Sequence, residues 1–271
     1  MSKHESARSA LCGLSINSSM ALPYEAAKCE SLPELKLLRL IGDSRDGERL
    51  LVWRNASFGE LPPGLCSVNL RVLDLRDSNI GKLPPRACFM ELRYLDLAGT
   101  NISSVPPGIS FVHLEHMDLS CTKIKELPSG VCWPNLKRLY LWKTEISELP
   151  DGLCSTNLEI LRLKGTNISK VPQALLPKLL LLDLQGCKRL ESLPTKFGAL
   201  MTSLQLLHLS ECERIEGLDS SIGSLADLRS LLLRGCHRMT RLPQEITSMQ
   251  LIPFRFFLRK NHHTIRSSPS H

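Results

Sequence analysis

Residues 92–106, which read LRYLDLAGTNISSVP, contain the pattern that decides the fold of this 271-residue chain. Leucines stand at positions 92, 95 and 97, and Ile102 and the pair Val105-Pro106 follow them. Apolar residues two apart lie on the same face of a strand, so Leu95 and Leu97 predict a short strand with one buried face. Proline has no backbone N–H to donate, and Val105-Pro106 therefore predicts the end of the extended segment.

The same pattern recurs along most of the chain. Its first leucine stands at positions 70, 92, 114, 136, 158, 179, 204 and 228, in steps of 21 to 25 residues, and a degraded unit precedes them at Glu48, Leu51 and Trp53. A further unit could begin at Leu35, although its offset from Trp53 breaks the register. One unit cannot bury its apolar side chains alone, whereas a stack of units forms a continuous core. Nine strands about 4.8 Å apart would form a sheet roughly 40 Å long.

This pattern is that of the leucine-rich repeat. We expect an α/β fold, a right-handed solenoid with a parallel sheet on its concave side and short helices or irregular segments on its convex side. Three regions follow from where the repeats begin and end. They are a weakly ordered leader or partial cap at 1–34, the solenoid at 35–250, and a basic tail without repeats at 251–271.

The units fall into two subtypes that differ just after the strand. A small polar residue follows the strand leucines in five units, and cysteine takes this place in the last three. Apolar pairs at spacing i,i+3 in the return segments predict short convex helices with one inward edge. The small polar residues are Ser78, Thr100, Thr122, Thr144 and Thr166, and the cysteines are Cys187, Cys212 and Cys236. The apolar pairs are Phe197/Leu200, Ile222/Leu225 and Ile246/Met249.

The ten cysteines do not form a pattern typical of metal binding or of disulfides. Four of them each precede a repeat-starting leucine by four residues, which gives one thiol per layer and not a cluster of four ligands: Cys66, Cys88, Cys132 and Cys154. The chain has no Cys-x-x-Cys motif, and free cysteine behaves as a small buried hydrophobe. Thiols used in this way indicate a reducing compartment, and we predict a cytoplasmic protein.

Composition and missing motifs exclude several classes of function. The net charge is +7, but residues 252–271 hold four cations and no acid, so the repeats give little support to nucleic-acid binding. No stretch is long and apolar enough to predict a membrane span. Phosphate-binding loops, nucleophile elbows and His-Glu-x-x-His motifs are all missing from the sequence. We therefore predict no enzyme activity, no cofactor, no bound metal and no small-molecule substrate.

The outward side chains of the predicted sheet are more informative. Tyr140 and Trp142 stand two residues apart on one predicted strand and face the same side, among cations. Tyr, Trp and Arg are typical of interface hot spots, although a Trp on a sheet can also simply cover its neighbours. We predict a protein partner on the concave face, contacted by Arg76, Tyr94, Asp96, His116, Asp118, Arg138, Tyr140, Trp142, Arg162 and Lys164.

Several motifs resemble the repeats of plant intracellular nucleotide-binding leucine-rich-repeat disease resistance proteins. They are Leu-Asp-Leu at 73–75, the Thr-x-Ile-x-x-Leu-Pro motifs, and LDLQGCKRLESLP at 182–194. The resemblance covers residues 48–250 and implies pathogen sensing or restraint of a signalling partner. It does not extend to the nucleotide switch of that family, because the chain has no Gly-x-x-x-x-Gly-Lys-Ser/Thr loop. It also implies that the stacked Asp74, Asp96 and Asp118 are structural and not a catalytic carboxylate pair.

Two alternatives to this interpretation follow from the motifs that the chain has and lacks. A free-standing scaffold similar to the leucine-rich-repeat adaptors of the Ras pathway would explain the missing nucleotide switch, whereas the cysteine-type units favour the resistance family. A ligase with a catalytic domain after its repeats is not expected, because about 20 residues follow the last unit.

Overall fold

The computed structural model describes residues 38–41, 50–61, 70–83, 90–106, 111–128, 133–150, 155–173, 176–240 and 242–249. The strands form one sheet in which each strand pairs with the next one in sequence. They are β1 (Leu38–Ile41), β2 (Leu50–Trp53), β3 (Val72–Asp74), β4 (Tyr94–Asp96), β5 (His116–Asp118), β6 (Arg138–Tyr140), β7 (Ile160–Arg162), β8 (Leu181–Asp183), β9 (Leu206–His208) and β10 (Ser230–Leu232).

Strands β2 to β10 are parallel, which confirms the predicted solenoid sheet. Strand β1 differs, because it pairs with β2 in the antiparallel sense, with Leu38 opposite Trp53. Only residues 42–49 connect the two strands, and a parallel connection needs about a dozen residues or more. The segment at Leu35 therefore does not start a further parallel unit at this strand. The predicted end regions, 1–34 and 251–271, lie outside the described residues.

The register of the sheet places the strand leucines in one row. Leu73 pairs with Leu95, Leu95 with Met117, and Met117 with Leu139, and all four side chains are fully buried. The row continues to Leu207 without exposure and reaches only 7% at Leu231 of β10. Complete burial of such a side chain contributes about 1.5–3 kcal/mol, and each unit obtains it from its neighbours.

A left-handed turn follows each of the nine parallel strands. Shortly after each of these strands one residue has a positive φ between 55° and 77°, and Lys196, which precedes α1, has a positive φ of 59° as well. At Gly99 a Cβ atom would lie 2.3 Å from Oδ1 of Asp77 in the preceding unit, so this position needs glycine for space as well as for φ. The nine positions are Asn55, Asp77, Gly99, Cys121, Lys143, Gly165, Gly186, Glu211 and Gly235.

The threonines and the cysteines that follow the strands satisfy different backbone carbonyls, and Ser78 resembles the cysteines because its hydroxyl donates to Trp53 of the preceding unit at 2.9 Å. The hydroxyl of Thr144 donates to the carbonyl of Leu141 in its own unit at 2.7 Å, and the other threonines of this position do the same. The Sγ atom of Cys187 instead donates to Leu163 of the preceding unit at 3.2 Å. Cys212 and Cys236 repeat this contact with Leu184 and Leu209. These cysteines therefore act as weak donors between layers in addition to filling space.

The convex side carries short helices where the apolar pairs predicted them. They are α1 (Phe197–Leu200) and two 3-10 helices, Ser220–Ser224 and Gln244–Ser248. Phe197, Ile222 and Ile246 are buried, which confirms the inward edge. Helix α1 and the first 3-10 helix approach closely at Gly198, whose N–H donates to Oγ of Ser221 at 3.3 Å.

The close approach of α1 predicts an unusual cost for a small substitution. A Cβ atom on Gly198 would lie 1.9 Å from the carbonyl oxygen of Ser221, so Gly198→Ala forces the two helices apart. We expect the free energy of unfolding to fall by about 1–3 kcal/mol in urea denaturation followed by circular dichroism. Gly81→Ala is the matched control, since a Cβ there meets nothing within 4 Å, and it should leave stability unchanged or raise it by about 0.4–1 kcal/mol. Equal effects of the two substitutions would contradict this account of the convex packing.

A candidate protein-interaction surface on the concave face

The outward side chains of the sheet lie in three columns that run across the strands. The residues that begin strands β4 to β6 form the first column, with Tyr94 beside His116 and His116 beside Arg138. The residues that end strands β4 to β7 form the second column: Asp96, Asp118, Tyr140 and Arg162. The third column lies two residues further on, in the turns after the strands, and contains Arg76, Trp142 and Lys164, so Trp142 does not share a strand with Tyr140 as the sequence predicted. The structure thus brings the ten predicted site residues together on one face of β3 to β7.

Tyr94, His116 and Tyr140 form a continuous row of rings, the aromatic row. The rings of Tyr94 and His116 are stacked, with centroids 4.4 Å apart and planes 3° from parallel. The ring of Tyr140 meets His116 edge-on at 5.0 Å, and the guanidinium of Arg162 lies 5.3 Å from the centroid of Tyr140. Such contacts fix the orientation of each ring before any partner arrives.

Burial keeps the middle of the aromatic row uncharged. Desolvation, and then the nearby charges of Arg138 and Arg76, lowers the pKa of His116 to about 4. Desolvation also raises the pKa of Tyr94 to about 12, with a further contribution from the carboxylate of Asp96. Both rings are therefore neutral at pH 7, and the row offers apolar and hydrogen-bonding surface without charge.

The stacked aspartates hold the turns at the ends of their strands. Oδ1 of Asp96 accepts the backbone N–H of Ala98 at 3.1 Å, and Oδ1 of Asp118 accepts that of Ser120 at 2.8 Å. Asp74 does the same for Arg76 at 3.3 Å. These bonds give the aspartates the structural role that the resemblance implied. The side chain of Asp96 is almost fully buried, and so it does not present its carboxylate as the partner contact that the sequence predicted.

Two arginines are already paired within this part of the face. The guanidinium of Arg54 lies 2.6 Å from Oδ2 of Asp74, and Arg76 reaches Asp74 at 2.8 Å and Asp96 at 3.1 Å. Desolvation alone would raise the pKa of Asp74, but the hydrogen bonds from Arg76 and Arg54 outweigh it and lower this pKa. Desolvation prevails at the other two aspartates, so the pKa of Asp96 rises to about 6 and that of Asp118 is also raised.

Arg138, Tyr140, Trp142, Arg162 and Lys164 form what we call the central patch. Its three cations are exposed, and none of them forms a salt bridge with a described residue. The sequence predicted exposed aromatics here, whereas both are partly buried. Tyr140 is covered by His116 and Arg162, and the ammonium of Lys143 lies 5.5 Å from the ring of Trp142. The patch is therefore an assembled surface and not a set of free side chains.

The described residues form neither a metal-ligand cluster nor a helix that could cross a membrane. Among the described residues, no three His, Cys, Asp or Glu side chains come close enough together to hold a metal ion. None of the helices in these ranges has the length and apolar character that crossing a membrane requires.

The two neighbouring aspartates predict opposite dependences of stability on pH. The folded pKa of Asp96, about 6, lies above its ordinary value of 3.8, so its contribution to stability is complete below pH 3.8 and is lost as pH rises through 6. The pKa of Asp74 is lowered, so its contribution is present above the ordinary value and is lost as pH falls through the lowered pKa. Between about pH 2.5 and pH 7.5, and relative to wild type, Asp96→Asn should therefore gain stability as pH rises from about 4 to 6, whereas Asp74→Asn should lose stability only as pH rises to about 4 and keep a constant deficit above that. Urea midpoints across this range test both, and parallel curves for the two variants would contradict the assignment.

The sequence comparisons identify the repeat. The family model described as Leucine Rich Repeat matches residues 91–111, which include β4 and the turn after it. A search of curated protein sequences finds no significant match to the chain.

The structural comparisons extend this finding to the whole solenoid. The leucine-rich-repeat domain of the type III effector XCV3220 (XopL) is 27% identical, with 75% of this chain and 73% of that chain covered and a TM-score of 0.64. The Drosophila Toll–Spatzle complex matches at 20% identity and a TM-score of 0.58, and a TDR receptor at 20% and 0.56. The match covers 76% and 71% of this chain but only 36% and 35% of those two chains, so they show the fold alone. The chain contains a leucine-rich repeat at residues 91–111, and its parallel strands form a solenoid of the leucine-rich-repeat fold.

Proposed function

We propose that this chain is a non-enzymatic interaction module that binds a protein partner through the central patch. The observation that carries the proposal is the partly exposed Tyr140–Trp142 pair among three cations without salt-bridge partners in the described residues. Tyr, Trp and Arg dominate the binding energy of most protein interfaces. Arg138, Tyr140 and Arg162 stand on hydrogen-bonded strands, and Trp142 and Lys164 lie in the turns just after them, so little backbone freedom is lost when a partner binds.

We further propose that the module belongs to a plant resistance-type protein and acts as a sensor or an autoinhibitory surface in defence signalling. The support is the resemblance of the Thr-x-Ile-x-x-Leu-Pro units and of the cysteine units at 182–194 to that family. The hydrogen bonds of Thr144 and Cys187 give both motifs a place in the stack, and this is consistent with repeats built on the same plan.

A pair of variants tests the concave binding site. Wild-type protein, Tyr140→Ala/Trp142→Ala, and Lys188→Ala/Glu213→Ala would each be immobilised and exposed to extract from the source cells, with retained proteins measured by quantitative mass spectrometry. Lys188 and Glu213 form an exposed pair at 2.9 Å outside the concave columns, and so they serve as the control. We expect at least one protein to be retained by wild type and the control but about thirtyfold less by the patch variant, since such an anchor contributes ~2 kcal/mol or more.

Stability must be measured on the same proteins. Because Tyr140 and Trp142 are partly buried, their truncation should lower the free energy of unfolding by about 1 kcal/mol and leave the fold intact. A retained protein that is indifferent to the patch variant would place the interface elsewhere, and a collapse of the urea midpoint would show that these rings mainly support the sheet.

The thiols test the proposed cytoplasmic location. Cys121, Cys187, Cys212 and Cys236 are free, and burial raises the pKa of the Cys187 thiol and that of Cys236, the latter to about 11. If protein isolated from its own cells is unfolded and alkylated without reduction, we expect every cysteine to carry the label, because a thiol held in a disulfide cannot react. Native disulfides among Cys66, Cys88, Cys132 and Cys154, which lie outside the described residues, would contradict a reducing compartment.

A further inference from the structure

The cations of the concave face differ in what they can still bind. Arg54 and Arg76 already contact Asp74, and Arg76 also contacts Asp96. An arginine held by two carboxylates offers little net charge to a partner. The three cations of the central patch form no salt bridge with a described residue, and so they offer more of their charge to a partner than Arg54 and Arg76 do.

We propose that the central patch binds a short acidic segment of the partner, with an apolar side chain of that segment on Trp142. This inference rests on the proposed function and names the chemistry of its partner. Exposed cations that form no salt bridge with a described residue attract carboxylates electrostatically, and the aromatic pair beside them gives the apolar side chain a place to be buried. Charge complementarity therefore favours an acidic segment as the part of the partner that binds the central patch.

The neighbouring strands limit the length of the acidic segment. Asp118 lies opposite Tyr140 on one side of the patch, and Asp183 lies opposite Arg162 on the other. From β5 to β8 the sheet spans three strand spacings, roughly 14 Å, which an extended chain covers with about four residues. Beyond these limits the aspartates repel further negative charge, and a long polyanion such as a nucleic acid is therefore disfavoured.

The spacing of the cations favours alternate acidic residues. Arg138 begins β6, and Arg162 is the register partner of Tyr140 two residues further along that strand. Diagonal neighbours of this kind on a sheet are about 7–8 Å apart, close to the distance of roughly 7 Å between alternate residues of an extended peptide. Two carboxylates separated by one residue would reach both guanidinium groups.

The intrinsic fluorescence of Trp142 tests the positive potential without any partner. Trp53 and Trp133 are buried, so ionic quenchers report mainly on the partly exposed Trp142. We expect iodide to quench this fluorescence more strongly than caesium ion, and Arg162→Gln to reduce the difference. Arg54→Gln is the control for the loss of one positive charge elsewhere on the face, because Arg54 is paired with Asp74 and lies four strands from Trp142, and it should leave the difference unchanged. Equal quenching by the two ions in wild type would overturn the inference.

Peptide binding tests the partner chemistry directly. The probe is a labelled octapeptide with two aspartates separated by one residue beside a leucine, with its diasparagine and dilysine counterparts, measured by fluorescence anisotropy at low and physiological salt. We expect binding only of the acidic peptide, weakened about fivefold by Arg162→Gln and unchanged by Arg54→Gln. Equal weakening by both variants, or tighter binding of a single-stranded oligonucleotide, would overturn it. So would self-association of the chain that Arg162→Gln abolishes in sedimentation velocity.

The two proposals can fail separately. If the acidic peptide does not bind while Tyr140→Ala/Trp142→Ala still loses the protein retained from extract, the acidic segment is wrong and the concave interaction site stands. If the peptide binds as described but the retained protein is indifferent to the patch variant, the acidic segment is supported as a property of the surface and the proposed binding site for that protein is wrong.

Discussion

The stack of fully buried leucines is the contact on which the other features of this structure depend. Each strand has only three or four residues, far too few to be stable alone, and its inward side chains obtain their burial from the units before and after it. The leucines stack only if every unit brings the chain back to the next strand in the same register and direction. The left-handed residue after each strand and the carbonyl contacts of Thr144 or Cys187 make this return reproducible, although the units differ in length.

The same constraint leaves the outward positions free to vary. Leu95, Met117 and Leu139 must stack, whereas the side chains between and beside them face the concavity and do not fill the core. One part of this surface has become self-contained, with Asp74 and Asp96 engaged by arginines and by turn N–H groups. The adjoining part keeps its cations unpaired within the described residues. A uniform backbone thus carries two chemically distinct surfaces next to each other.

The sequence predicted the parallel sheet, its register and the inward edge of the convex helices because each depends on spacing alone. It did not predict that β1 is antiparallel, since its short connection to β2 matters only once the strands exist. Six of the nine left-handed positions are Gly, Asn or Asp, which adopt a positive φ more readily than other residues, so the sequence carries a signal for this turn. Cys121, Lys143 and Glu211 occupy the other three positions and obscure that signal. The spacing of the repeats also did not predict how deeply the concave side chains are buried. His116 covers part of Tyr140, and the turn after β4 together with Arg76 covers Asp96. No repeat pattern specifies these side-chain contacts.

The pairing of charges explains why composition alone says little about what this face binds. Counted by residue type, Arg54 and Arg76 equal Arg138 and Arg162, yet the first two form salt bridges with carboxylates and the second two form none with a described residue. Arg76 bridges two neighbouring layers through Asp74 and Asp96. Its charge therefore stabilises the register of strands β3 and β4. Arg162 instead lies over the ring of Tyr140, which orients the guanidinium without neutralising it. A cation that is positioned but not neutralised keeps its charge for a carboxylate from outside, and this is the physical difference between the stabilising half of the face and the half available for recognition.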